Sequence, residues 1–264
     1  MTMTGPAVDL VWHPAGATDL VVLAHGGQEH STAVPHLWRA PILRMWPFAL
    51  AARSAVPTAA VGMLRYRYRG WNGSAADSAV DLRAVLDELP PVIRRVVLIG
   101  HSMGGRAVVA AGNHPRVAGV LALAPWLPEG EPLTALRPPV TFAHGTDDTI
   151  TDPRATAAYA ERLRAAGTPV TMYALAGEGH AMLRRSTDWN TVVANFTITA
   201  LNATAPARGT DGPRIESLPQ YGPKALLPIA VGSIAVARFR LPVVERFEAH
   251  CSAGKSTAAG RDLG

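Results

Sequence analysis

Residues 95–104 read Arg-Val-Val-Leu-Ile-Gly-His-Ser-Met-Gly. The unbroken apolar run from Val96 to Ile99 fits neither a half-wet strand, which alternates, nor an amphipathic helix, whose apolar positions recur every three or four residues. It fits a parallel strand covered on both faces. Gly100 and Gly104 then frame a sharp turn. Lacking side chains, they let the backbone pass closely, so that the hydroxyl of Ser102 stands clear of the sheet. A helix is expected to follow over residues 104–113.

The alternation continues outward in both directions. Strands are expected at residues 117–124, 140–143 and 170–175, and helices at 77–89, 154–166 and 189–201, the first helix being stopped by Pro90-Pro91. Upstream, the short apolar runs 8–12 and 20–24 are separated by a turn-rich spacer, which predicts an antiparallel pair. A long helix is expected over 35–54. A strand over 59–68 follows, in which Arg65, Arg67 and Arg69 alternate with Leu64, Tyr66 and Tyr68 and form a wet face. The pattern implies an α/β fold, a mostly parallel twisted sheet with helices on both faces.

Residues 125–139 are too few for a helical lid, so no cap domain is expected. Residues 1–204 read as one catalytic unit and 205–264 as an appendage, surface-packed or disordered. Its apolar run, 225–237, is shorter than the roughly 20 residues a bilayer span needs, and no membrane contact is expected. A chain of 264 residues with 48% hydrophobic and 17% charged residues has the makings of one sizeable core. One cysteine, Cys251, forms no internal disulfide, and residues 1–10 hold no basic segment followed by an apolar run, so a cytoplasmic location is expected. The net charge of +5 comes from scattered arginines without a recognition motif, which points away from nucleic acid and toward an anionic substrate or product.

Gly100-His101-Ser102-Met103-Gly104 fits G-x-S-x-G between a buried strand and a helix, the context in which that motif presents a nucleophile. A hydroxyl is a poor nucleophile at neutral pH and needs a base, itself oriented by a carboxylate. His180, in Gly177-Glu178-Gly179-His180 at a strand end, is the candidate base. The acid is Asp147, Asp148 or Asp152, all after the preceding strand, in the chain order Ser, Asp, His. The backbone N–H of Met103 is one candidate donor to a developing oxyanion. His101 and His25 read as structural. The nine histidines show no H-E-x-x-H spacing, so neither metal nor cofactor is expected.

In these motifs and their order the chain resembles the α/β-hydrolase superfamily over residues 10–201, in its small lidless branch of dienelactone-hydrolase-like and cutinase-like serine esterases. The resemblance selects Asp148, through His144-Gly145-Thr146-Asp147-Asp148, as the acid. It makes Gly27, after His25-Gly26, the second oxyanion donor, with Gln28 as the fallback, and Trp126 a wall of the substrate pocket, with Trp71 a similar candidate. The alternative for both rings is simple packing. Dienelactone hydrolases carry cysteine where Ser102 stands, so their lactone activity does not carry over. The expected reaction is hydrolysis of a small-molecule carboxylic ester. The alternatives are a thioesterase, with Arg65, Arg67 and Arg69 drawing coenzyme A phosphates; a cofactor-free perhydrolase, since Ser-Met-Gly-Gly occurs there too; and a catalytically silent binding module. The oligomeric state is left open.

Overall fold

The structure, a computed structural model, describes residues 5–35, 40–202 and 245–248. Eight strands form one sheet: β1 (Ala7–Trp12), β2 (Asp19–Ala24), β3 (Ala60–Arg65), β4 (Arg95–His101), β5 (Val117–Leu123), β6 (Val140–Gly145), β7 (Val170–Leu175) and β8 (Glu245–Glu248). Their order across the sheet is β7-β6-β5-β4-β2-β3-β1-β8. From β2 to β7 every neighbouring pair is parallel, while β1 runs antiparallel to β3 and to β8.

The helices are α1 (Ala40–Leu43), α2 (Trp46–Ala55), α3 (Asp77–Glu88), α4 (Met103–Ala111), α5 (Pro153–Ala165) and α6 (Ser186–Asn202). Strand β4 shows how the sheet divides the core. Val96 and Leu98 join one apolar cluster with residues of α3, α4 and α5, whereas Val97 and Ile99 join another with residues of α1, α2 and α6. Four consecutive apolar residues are therefore all inside, two on each side. The chain moves one way from β2 to β3, crosses back to β4, and then proceeds the other way. The carboxyl end of β4 lies at that reversal, where open α/β sheets leave a crevice.

Three expectations change. Strands β1 and β2 do not pair: both edges of β2 are taken by β3 and β4, and its residues Leu20 to Ala24 are fully buried. The one long helix is two, because Pro47 sits in the first turn of α2, where its missing N–H costs nothing but where an uninterrupted helix is not supported. The arginine-bearing strand stops at Arg65, and no wet face exists there. Arg65 Nε lies 3.8 Å from Asp9 Oδ2. Arg67 turns to Asp81 and Asp77, its Nε donating to Asp81 Oδ1 at 2.5 Å.

Residues 125–139 contain no helix. Of the stretch 205–264 only Glu245–Glu248 is described, as an edge strand on β1; the run 225–237 lies outside the described residues. No helix among the described residues is long and apolar enough to cross a membrane.

The glycines of the turn after β4 are under tight steric demand. A Cβ on Gly100 would stand 2.2 Å from the Gly104 carbonyl oxygen, and one on Gly104 would stand 2.1 Å from that of Ala24. Both obstacles are backbone, which has little room to yield. Gly104→Ala is expected to destabilise the fold by about 3 kcal/mol, at the upper end of ordinary overpacking. Urea denaturation followed by far-UV circular dichroism checks this, and an unchanged midpoint would mean that α4 and β2 separate more easily than their contacts suggest.

Candidate active site

Ser102 sits between β4 and α4 with φ 58° and ψ −120°, a conformation that non-glycine residues rarely adopt. The surroundings hold it there. Its N–H donates to Leu123 O at 3.1 Å, and its own carbonyl accepts from Arg106 N at 3.2 Å and Trp126 N at 3.1 Å. The turn delivers the hydroxyl to His180, whose Nε2 accepts from Ser102 Oγ at 3.1 Å. On the far side of the ring, His180 Nδ1–H donates to Asp148 Oδ2 at 2.8 Å. The structure thus brings Ser102, His180 and Asp148 into one hydrogen-bonded line from three separate strand ends.

Asp148 is buried and richly served. Oδ1 accepts from the N–H groups of Ile150 at 2.8 Å and Thr151 at 3.0 Å. Oδ2 accepts from Thr151 Oγ1 at 2.9 Å and His144 Nε2 at 3.0 Å, besides His180. Burial alone pushes this carboxyl up, but the bonds from His144, His180, Thr151 and Ile150 outweigh it and hold the group well below the usual carboxylate range. Asp147 is exposed and accepts from the neighbouring Thr146 Oγ1, while Asp152 caps α5 by accepting from Arg154 N. The two rejected candidates have local structural duties.

Four contributors escape a reading of single motifs. His144 is wholly buried, its Nδ1 accepting from Thr156 Oγ1 at 2.8 Å while its Nε2–H holds Asp148. Thr151 Oγ1 also lies 3.1 Å from His180 Nδ1. Glu178 is 2% exposed and gathers the chain on both sides of His180 by accepting from Gly179 N, Arg184 N, Arg185 N and Trp189 Nε1. His101 points toward the base: its Nε2–H donates to the His180 carbonyl at 3.1 Å, and the two rings lie 4.6 Å apart. Burial above all, and then the charges of His180 and Arg44, depress the His101 pKa well below the ordinary imidazole value, so it stays neutral. The Gly-x-x-His spacing was visible, but these partners come from turns whose geometry was not.

The loop from His25 to Gln28 runs directly beside the nucleophile: a Cβ on Gly26 would stand 3.2 Å from Ser102 Cβ. Gly27 is hemmed in, since a Cβ there would lie 2.3 Å from Arg69 O and 2.5 Å from Met103 Sδ. Gln28 is ruled out as an alternative donor because its N–H already donates to Arg69 O at 2.9 Å. That bond belongs to a single parallel bridge between Gln28 and Gly70, and the two loops are tied further by Arg69 N to Ala33 O and Gly70 N to Ser31 O. His25 is buried, with Nδ1–H donating to Gly26 O and its ring edge-on to Tyr66.

Trp126 follows the end of β5 and packs around an ion pair. The Arg106 guanidinium lies 4.7 Å from the Trp126 ring and 3.9 Å from that of Trp71, and the two rings meet at 87°. Glu131 completes the unit, accepting from Arg106 Nε at 2.9 Å with a second contact at 2.6 Å. Cation–π contact with both rings and the carboxylate of Glu131 hold this guanidinium in place.

Residues 21–227 match the alpha/beta hydrolase family. No curated protein sequence matches the chain. Among solved structures it is similar to a sugar hydrolase from Lactococcus lactis, with a TM-score of 0.57 and 18% identity over 74% of this chain and 95% of that one. An esterase/lipase from an uncultured bacterium gives a TM-score of 0.56 and 18% identity, over 77% and 84% of the two chains. Est1E from Butyrivibrio proteoclasticus gives a TM-score of 0.52 and 14% identity over 74% and 94%. At such identities the likeness speaks for the fold.

Proposed function

The chain belongs to the alpha/beta hydrolase family, and from that premise we propose that it is a serine hydrolase cleaving a small-molecule carboxylic ester through an acyl-enzyme. The observation that carries this reading is the unbroken line Ser102 Oγ, His180 and Asp148, at 3.1 Å and 2.8 Å. One of the similar structures is named as an esterase/lipase.

His180 Nε2 takes the Ser102 proton as Oγ attacks the acyl carbonyl, and the carbonyl electrons move onto oxygen. The backbone N–H groups of Gly27 and Met103 receive that oxyanion, which matters because losing one such donor typically costs about 2.7–4 kcal/mol. The imidazolium, stabilised by the ionised Asp148, then gives its proton to the departing alcohol. Water repeats the sequence on the acyl-enzyme, releasing the acid and restoring Ser102. Trp126 lines the substrate side of this centre.

The thioester alternative rests on phosphate capture by Arg65, Arg67 and Arg69. Arg65 and Arg67 meet Asp9, Asp77 and Asp81 within the protein, so two of the three charges are already answered. That leaves the simple ester as the better supported substrate.

The test is covalent labelling with a fluorophosphonate, followed by peptide mass spectrometry, alongside hydrolysis of p-nitrophenyl esters of graded acyl length. We expect a single adduct on Ser102 and measurable hydrolysis that the label abolishes. No adduct and no hydrolysis would instead favour a silent binding module.

A further inference from the structure

Arg65, Arg67 and Arg69 end up in unequal situations. The first two face carboxylates, Asp9 for Arg65 and both Asp77 and Asp81 for Arg67. Arg69 faces none among the described residues. Its Nε is buried without a hydrogen-bond partner, and it lines a cleft with His25, Gly26, Gly27, Gln28, Pro35, Pro41 and Ile42. That cleft adjoins the nucleophile through Gly26, which a Cβ would bring to 3.2 Å from Ser102 Cβ.

A second cation stands nearby. Arg44 follows α1, next to the cleft residues Pro41 and Ile42, and no acidic partner meets it among the described residues. Burial lowers its pKa, with no carboxylate to offset this, and its charge reaches His101, the neighbour of Ser102. Taking guanidinium groups partly out of water without a counter-charge is costly. An unsatisfied buried donor at the edge of a cleft marks a place that a ligand can complete.

Resting on the reading of Ser102 as the nucleophile, we propose that the substrate carries an anionic group, a carboxylate or a phosphate, which Arg69 binds in the cleft beside Gly26 and Gly27 with Arg44 reinforcing it. The cation then acts as a specificity-determining residue. It lies on the side of the oxyanion loop, in the cleft lined by Gly26 and Gly27. It also gives the positive net charge of the chain a local use.

Two matched pairs test this and separate the possible sources of charge. Mono-p-nitrophenyl glutarate against p-nitrophenyl pentanoate places a carboxylate on the acyl side. Acetyl-coenzyme A against S-acetyl-N-acetylcysteamine places phosphates on the leaving group. In one of the pairs the anionic member is expected to be favoured in kcat/KM by about ten- to a hundred-fold at low salt, the scale of a hydrogen bond to a charged group. The preference should shrink as salt rises. Arg69→Gln should remove most of it and Arg44→Gln a smaller part, while Arg69→Lys retains some. Using the ratio within each pair cancels any general loss of activity. Hydrolysis that needs Ser102 but shows no anionic preference in either pair, or a preference that both glutamine variants leave intact, overturns the anionic substrate alone. Hydrolysis that survives Ser102→Ala overturns the hydrolase reading, and this proposal with it.

Discussion

Ser102→Ala is expected to lower ester-hydrolysis kcat by about six orders of magnitude, to the level set by binding and the oxyanion donors alone. It should do so without unfolding the protein. The turn is held by main-chain bonds, from Ser102 N to Leu123 O and from Arg106 N and Trp126 N to Ser102 O, none of which uses the hydroxyl. Alanine inherits the same φ of 58° and the same strain. The only side-chain bond removed is that to His180 Nε2. A melting temperature within a degree or two of wild type, together with lost labelling and lost turnover, would tie the chemistry to that one oxygen. Turnover equal to wild type would place the nucleophile elsewhere.

Asp148→Asn should cost about four orders of magnitude in kcat, the scale seen when the acid of a serine triad is made an amide. The reason is proton placement. Asp148 Oδ2 accepts from His180 Nδ1–H, so Nε2 is left bare to accept from Ser102. An amide nitrogen at that position would instead donate to Nδ1 and leave the proton on Nε2, facing the hydroxyl it should receive from. The same swap disturbs His144 and Thr151, which also donate to Oδ2, so a loss of stability is expected as well. Because the carboxyl is held well below its usual range, its contribution to stability is present at every pH above the unfolded value of 3.8 and fades only in stronger acid. Asp147→Asn is the control: exposed, with its carboxylate accepting from the neighbouring Thr146 Oγ1, it should change kcat by less than about two-fold, within the range of ordinary surface substitutions. A larger effect at Asp147 than at Asp148 would reverse the assignment of the acid.

The parts of this fold that the sequence disclosed are those where a local pattern has one physical solution. Val96 to Ile99 had to be covered on both faces, and a G-x-S-x-G after such a strand had to be a tight turn, so β4, Ser102 and α4 were legible together. His180 was legible because a glycine loop offers an imidazole little packing. The choice of Asp148 needed family resemblance, since three aspartates stand within six residues and only the turn shows which one reaches Nδ1. Strand pairing was misread at β1 and β2, because a short spacer suits a hairpin equally well when β3 is free to insert between them. The duties of Arg65 and Arg67 were hidden for a related reason. Alternation along a strand says nothing of acids that arrive from β1 and α3. Glu178 and the Arg106–Glu131 pair likewise depend on donors and rings that come together only after folding.

The short strand Glu245–Glu248, laid along Ala7 to Leu10, has a consequence for how molecules of this protein meet one another. Strand β1 would otherwise end the sheet, showing a row of bare amide and carbonyl groups that any other extended chain could match. With that row occupied by a segment of the same polypeptide, the border on the side remote from β7 passes to a strand of only four residues, too short to offer another chain much of a template. A chain cut short before residue 245 would keep Ser102, Asp148 and His180 while acquiring an adhesive border, so its first failing would be clumping, ahead of any failing in chemistry.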